Sequence, residues 1–290
     1  MRYAHWLAGA AALCLLGGTA AAATPPTGAT KSQPAPTVAP ADSPRQQIIN
    51  SGPITIAAGD KLTKWTYCPT GTLATGGGES NNRIAGVTLH DTFAFGDGSA
   101  WLVSVSNDST VEATFTVYAI CWSGISGYHQ ITRDSVAEPG GDSDEVLGSC
   151  PNGIALGGGG LTDSWETTVG ENHPYPYPDD PGLSWAYHVH NPSSTTANVT
   201  TVLICGASVT SQEVTGGSVT VGSGQYGLVS GSCPAGTVLL SGGSIGQSAQ
   251  ATSRLRITDS YPDSAQSWRT YVHNDDTQGR VIQSDLLCGT

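Results

Sequence analysis

His188 and His190 stand one residue apart in the stretch WAYHVHN. Alternate residues of a β-strand share a face, so both imidazoles could grip one metal ion. A third ligand would have to come from His173 or Asp179, in ENHPYPYPDD. Two histidines on a sheet face are more often plain polar surface, and no metal is expected. Carboxylates gather in GGDSDE (residues 140–145) and NDD (residues 274–276), oxygen-rich turns of the kind calcium uses. Neither spells a complete ligand loop, so no cofactor is expected and calcium stays the one alternative. Gly242-Gly243-Ser244-Ile245-Gly246 matches G-x-S-x-G, but a nucleophile elbow needs a helix after its strand, and none is promised here. His90-Asp91 and Asp163 could move protons, yet no pair of carboxylates is fixed by spacing.

Aromatic rings offer a different chemistry, stacking on sugars. The candidates are Tyr175, Tyr177, His188 and His190 in one region and Tyr261, Tyr271 and His273 in another. Trp101, Trp185 and Trp268 are better read as core, because each shares its strand face with a valine four positions on.

The leader and composition bound the partners. Arg2 and His5 precede LAGAAALCLLGG and then TAAAA, the pattern of a signal peptide over residues 1–23. Leu13 before Cys14 is too large for a lipobox. Residues 24–46, TPPTGATKSQPAPTVAPADSPRQ, hold almost no large apolar group and read as a disordered Pro/Ala/Thr tether. No later segment is apolar enough to insert in a membrane. Eleven basic residues face 23 acidic ones, a net charge of −12 that repels nucleic acid and anionic lipid. Localisation is expected to be secreted. Asn107-Asp-Ser and Asn198-Val-Thr are glycosylation sequons, with meaning only in a eukaryotic secretory pathway.

The elements that would position these residues come in triplicate. CPTGTLATGGG, CPNGIALGGGG and CPAGTVLLSGG begin at Cys68, Cys150 and Cys233. Cys121, Cys205 and Cys288 close the units; a Trp lies 20 residues before each, and an Asn (107, 191, 274) follows each Trp by six. Matched positions at near-constant spacing define an internal repeat of about 83 residues. The glycines lack the Lys-Ser/Thr and helix of a phosphate loop. They read instead as sites of close backbone approach or bulges.

WLVSVSN, WAYHVHN and WRTYVHN alternate as half-buried strands, and each leads through a polar turn to a return strand ending in Cys. No segment carries a helical stripe. The chain is therefore expected to be all-β, with repeats at residues 47–124, 125–207 and 208–290. A pseudo-threefold, β-prism-like arrangement of three antiparallel sheets is the first expectation, and three tandem small β-sandwiches the alternative. Six cysteines past the leader imply disulfides. Bridges within each unit (Cys68–Cys121, Cys150–Cys205, Cys233–Cys288) are favoured over bridges that link each unit to the next, because each unit could then close without the others.

These words resemble a β-repeat module of secreted bacterial proteins, carried on extracellular or collagen-like chains. The resemblance spans residues 61–122, 142–206 and 225–289. The first unit has Phe95-Gly96 where Tyr177-Pro178 and Tyr261-Pro262 stand in the others, and Ser241 replaces the first glycine in the third. The resemblance implies a disulfide-closed extracellular frame and no catalytic residue. The expected function is a non-catalytic binding or adhesion protein, with an extracellular glycan or cell-surface component as partner. The alternatives are a structural envelope or matrix protein, and a secreted hydrolase with its site in residues 165–181.

Overall fold

A computed structural model describes residues 45–133, 136–141, 143–175, 184–246 and 254–290, the side chains of residues 143–146 excepted. The leader, nearly all of the tether segment, Tyr177 and Asp179 lie outside the described residues.

Every regular element among the described residues is a strand. The first repeat contributes β1 (Gln46–Asn50), β2 (Ile54–Ile56), β3 (Lys61–Tyr67), β4 (Leu73–Ser80), β5 (Val87–Ala94), β6 (Ala100–Asn107) and β7 (Ala113–Trp122). The second contributes β8 (Ser126–Thr132), β9 (Val136–Glu138), β10 (Ser143–Ser149), β11 (Ile154–Thr162), β12 (Thr168–Tyr175), β13 (Ser184–His190) and β14 (Ala197–Ala207). The third contributes β15 (Gln212–Val221), β16 (Tyr226–Ser232), β17 (Val238–Gly246), β18 (Leu255–Pro262), β19 (Ser267–Asn274) and β20 (Arg280–Gly289). Gln46, the last residue of the segment read as tether, opens β1 instead. Its buried amide donates to Leu239 O (2.6 Å) and Ala265 O (3.1 Å) of the third repeat.

The strands form three antiparallel sheets. Sheet I runs β1-β7-β4-β18-β19-β16, sheet II β10-β13-β12-β17-β20-β15, and sheet III β3-β6-β5-β11-β14-β8. Each sheet joins halves of two repeats, so the architecture is the pseudo-threefold prism. The sandwich idea survives inside each repeat. Trp101 of β6 in sheet III packs on Gly77 of β4 in sheet I, and Trp185–Gly158 and Trp268–Gly242 repeat the contact. Each repeat is thus a two-layer sandwich whose layers belong to different sheets. The three tryptophans are fully buried. Their indole N–H groups donate to Thr92, Asn172 and Ser260, so burial leaves no donor unsatisfied.

Local chemistry explains the repeated words. In Cys-Pro-x-Gly the glycine has positive φ (Gly71 84°, Gly153 94°, Gly236 87°). In the first and third repeats the amide two residues beyond x closes a turn on the proline carbonyl (Thr72 to Pro69, 3.0 Å; Thr237 to Pro234, 3.1 Å). That is a type II turn, which demands glycine at its third position. Disulfides Cys68–Cys121, Cys150–Cys205 and Cys233–Cys288 then close each repeat on itself. Closing loops of 53 to 55 residues stabilises the fold by about 4 kcal/mol per bridge in the chain-entropy account.

Repeats meet where β4 pairs β18, β11 pairs β5 and β17 pairs β12. Each backbone ladder is one residue pair long: Glu79–Ser260, Gly160–Thr92 and Ser244–Asn172. The bulges that start β4, β11 and β17 converge. A Cβ on Gly76 would lie 2.7 Å from Ser241 Oγ, and one on Gly157 would lie 2.8 Å from Ser241 Cβ and 1.9 Å from Thr75 O. Three first-glycine positions share one space, which holds a single small side chain. Ser241 fills it, which accounts for its departure from the glycine pattern.

Candidate functional site

In-register residues on neighbouring strands share a face. On each sheet one face carries the tryptophans, and the opposite, outer face carries the residues between them. Three equivalent positions on the outer faces read Trp65–Leu102–Phe93 on sheet III, Leu147–Ala186–His173 on sheet II and Ser230–Arg269–Tyr261 on sheet I. The frame is repeated; its outer surfaces are not.

Sheet III presents apolar rings. Trp65 (48% exposed) and Tyr67 (63%) project from the edge strand β3, and Phe95 (54%) continues the alternation past the end of β5. Tyr67 pairs Ala100 in register, and Phe95 N donates to Ala100 O (2.8 Å), so Tyr67, Ala100 and Phe95 form a row beside Trp65, Leu102 and Phe93. The rings sit on three paired strands, a stiffer platform than a loop.

Sheet II presents histidines and carboxylates. His188 lies opposite Glu145 on one side and Glu171 on the other. It is only 6% exposed, because the bulge residue Gly170 leaves room for the ring against the backbone. His173 is buried, with its Nδ1 against Pro174 O (2.7 Å) and Nε2 3.7 Å from Glu171. Burial pushes the His173 pKa down, but Glu171 outweighs it and leaves the pKa raised. Glu171 also accepts Gly246 N (3.0 Å). His190 and Tyr175 are part-buried on the same face. Among the described residues no group of three or more His, Cys, Asp or Glu is placed to hold a metal ion.

Sheet I presents tyrosines and arginines. Tyr261 of the third repeat stacks on Tyr118 of the first, centroids 5.4 Å apart. Tyr271, expected on the surface, is 8% exposed because Arg83 of the first repeat lies over its ring at 4.9 Å. His273 pairs Asp275 (2.6 Å), which also receives Arg256 (3.0 Å), while Arg280 donates through Nε to Asp276 (2.7 Å). The carboxylates of NDD are therefore engaged by basic side chains.

The sugar-stacking candidates among the described residues do not converge. Tyr175, His188 and His190 share the outer face of sheet II, whereas Tyr261, Tyr271 and His273 share that of sheet I. The register also corrects one correspondence. Tyr261-Pro262 lies opposite Arg269 and Trp268 as His173-Pro174 lies opposite Ala186 and Trp185, so His173-Pro174, not Tyr177-Pro178, is its equivalent. Ser244 lies inside β17 and is buried, paired in register with Asn172 and Ser284 rather than set at a turn. His90 is buried too, with Nδ1 on Thr167 O (2.7 Å) and Nε2 on Ser106 Oγ (2.8 Å). Burial lowers its pKa to about 4.

The platform Trp65, Tyr67 and Phe95 escaped the sequence reading because that reading followed the repeated positions. Its signal was the opposite one. KLTKWTY carries Trp65 and Tyr67 where the other repeats carry Leu147 and Ser149, or Ser230 and Ser232. Comparison with protein-family models and with curated proteins finds no match for the chain.

Proposed function

We propose that the protein is a secreted, non-catalytic binding protein whose ligand is an extracellular glycan laid on the outer face of sheet III. The observation that carries this reading is the side-by-side placement of Trp65, Tyr67 and Phe95 on a strand face, each about half exposed or more. Tryptophan and tyrosine offer large, rigid faces at little conformational cost, suited to the apolar face of a sugar ring. Three disulfides fit an oxidising compartment, and the leader supports export.

Affinity electrophoresis in gels containing neutral and acidic polysaccharides tests the reading. At least one polymer should retard the protein, and Trp65→Ala should weaken that retardation about tenfold or more with unchanged melting temperature. Trp101, Trp122, Trp185 and Trp268 are buried, so ligand on Trp65 should also alter tryptophan emission. Retardation that ignores Trp65→Ala, or none with any polymer, would refute it.

A further inference from the structure

The three seams between repeats are built alike, with one exception. At each seam a buried carboxylate of one repeat accepts a backbone N–H of the next: Asp91 from Thr162 (2.9 Å), Glu171 from Gly246 (3.0 Å) and Asp259 from Asn81 (2.7 Å). Beside this clasp lies the single ladder pair. Gly160 and Ser244 fill its glycine-strand side at two seams. At the seam that joins the first repeat to the third, the residue is Glu79.

Glu79 is fully buried, and neither carboxyl oxygen has a hydrogen-bond partner among the described residues. Asp259 keeps one oxygen unpartnered as well. An ionised carboxylate in such a place suffers the full desolvation penalty, and a second carboxylate nearby adds repulsion. A neutral acid tolerates both. The strands packed on β4 offer little relief. Among their ionisable groups, β7 supplies Tyr118, β18 supplies Arg256, Asp259 and Tyr261, and β5 supplies His90 and Asp91; β6, β11 and β17 supply none. The exposed Arg83 interacts with Asp259, while Arg256 is committed to Asp275.

We propose that the seam between the first and third repeats is a pH-operated latch, closed while Glu79 carries its proton and opened when Glu79 ionises. Loss of that proton places a charge in the ladder pair itself, next to the Asp259 clasp that holds Asn81. Asn81 in turn donates to Thr258 O (2.7 Å) and caps the bend at Ile84, so an open seam frees this bend from the third repeat. The other seams have no ionisable group at the corresponding position and stay shut. Burial, then Asp259, holds the Glu79 pKa well above the ordinary carboxylate range, so the latch opens as pH rises.

Amide hydrogen exchange in the full chain tests this, because Asn81, Thr162 and Gly246 are equivalent reporters on the three seams. The intrinsic acceleration of exchange with pH is common to all three. Between pH 5 and pH 9, exchange at Asn81 should rise about tenfold or more relative to Gly246. Glu79→Gln, which cannot ionise, should abolish that relative rise. Glu79→Ser, which copies the third repeat, should do the same and serves if the glutamine variant folds poorly. A constant ratio in the wild type, or a rise that persists in the variants, would overturn the proposal.

Discussion

Gly78, Gly159 and Gly243 are the residues that let three repeats share continuous sheets. A Cβ at these positions would lie 1.8, 1.8 and 1.5 Å from the carbonyl oxygens of Ser260, Thr92 and Asn172. These are backbone atoms of the adjoining repeat, so no rotamer change relieves the clash. Gly159→Ala should therefore destabilise the protein by about 3 kcal/mol or more in urea denaturation, or prevent folding. Gly96→Ala is the matched control. Its Cβ would meet nothing within 4 Å and its φ is ordinary, so the urea midpoint should not move. The sequence offered close approach or a bulge for the glycine cluster, without the partner. The partner carbonyl belongs to another repeat, and no local pattern encodes it.

At the scale of elements, the asparagine after each tryptophan strand staples the turn that follows. Asn191 is fully buried; its Nδ2 donates to Glu138 O (3.0 Å) and Thr195 O (2.8 Å), and its Oδ1 accepts Ser193 N (3.2 Å). Asn107 donates to Ile56 O and Val111 O, and Asn274 to Val221 O and Gln278 O. Each staple binds a hairpin to the end of an earlier strand of its own repeat, β2, β9 or β15. Asn191→Ala leaves the carbonyl of buried Glu138 without its side-chain donor and should lower stability by about 2 kcal/mol, read from the shift in urea midpoint. Asn191→Asp should behave similarly, since it keeps the acceptor and loses both donors. The spacing announced a turn at these positions, and the hairpins are there. The second function of the same side chain, reaching across to an earlier strand, follows only from the fold.

For the whole molecule, buried ionisable groups set a preference for acid. Burial raises Asp91 and Asp259 to about 6 and lifts Glu79 well above its ordinary value. A carboxyl with a raised folded pKa binds its proton more tightly in the folded state. Its stabilisation is complete below the unfolded value near 4 and fades as pH climbs through the folded one. His90 has the opposite sign. Lowered to about 4, it withdraws stability as pH falls from about 6.5 toward 4. Above pH 5 the carboxyls outnumber it, and a net charge of −12 adds self-repulsion at neutral pH. The melting temperature should therefore fall from pH 5 to pH 8 in scanning calorimetry. Glu79→Gln should flatten that decline, while Asp97→Asn, in an exposed turn, should leave it unchanged.

The sequence alone determined the triplication and the all-β class, and favoured buried tryptophans and cysteines paired within each repeat. All of these follow from periodicity, which is local information copied three times. Only the tertiary structure decided that each sheet is shared between two repeats, that Ser241 occupies the space Gly76 and Gly157 leave, and that Glu79 sits in the closing seam. It also distributed the sugar-stacking candidates over two faces and brought Trp65, Tyr67 and Phe95 together on a third. The physical reason is that repetition fixes what one unit looks like to itself. Contacts between units depend on which strand edges meet, and side chains that differ among the copies acquire their meaning only there.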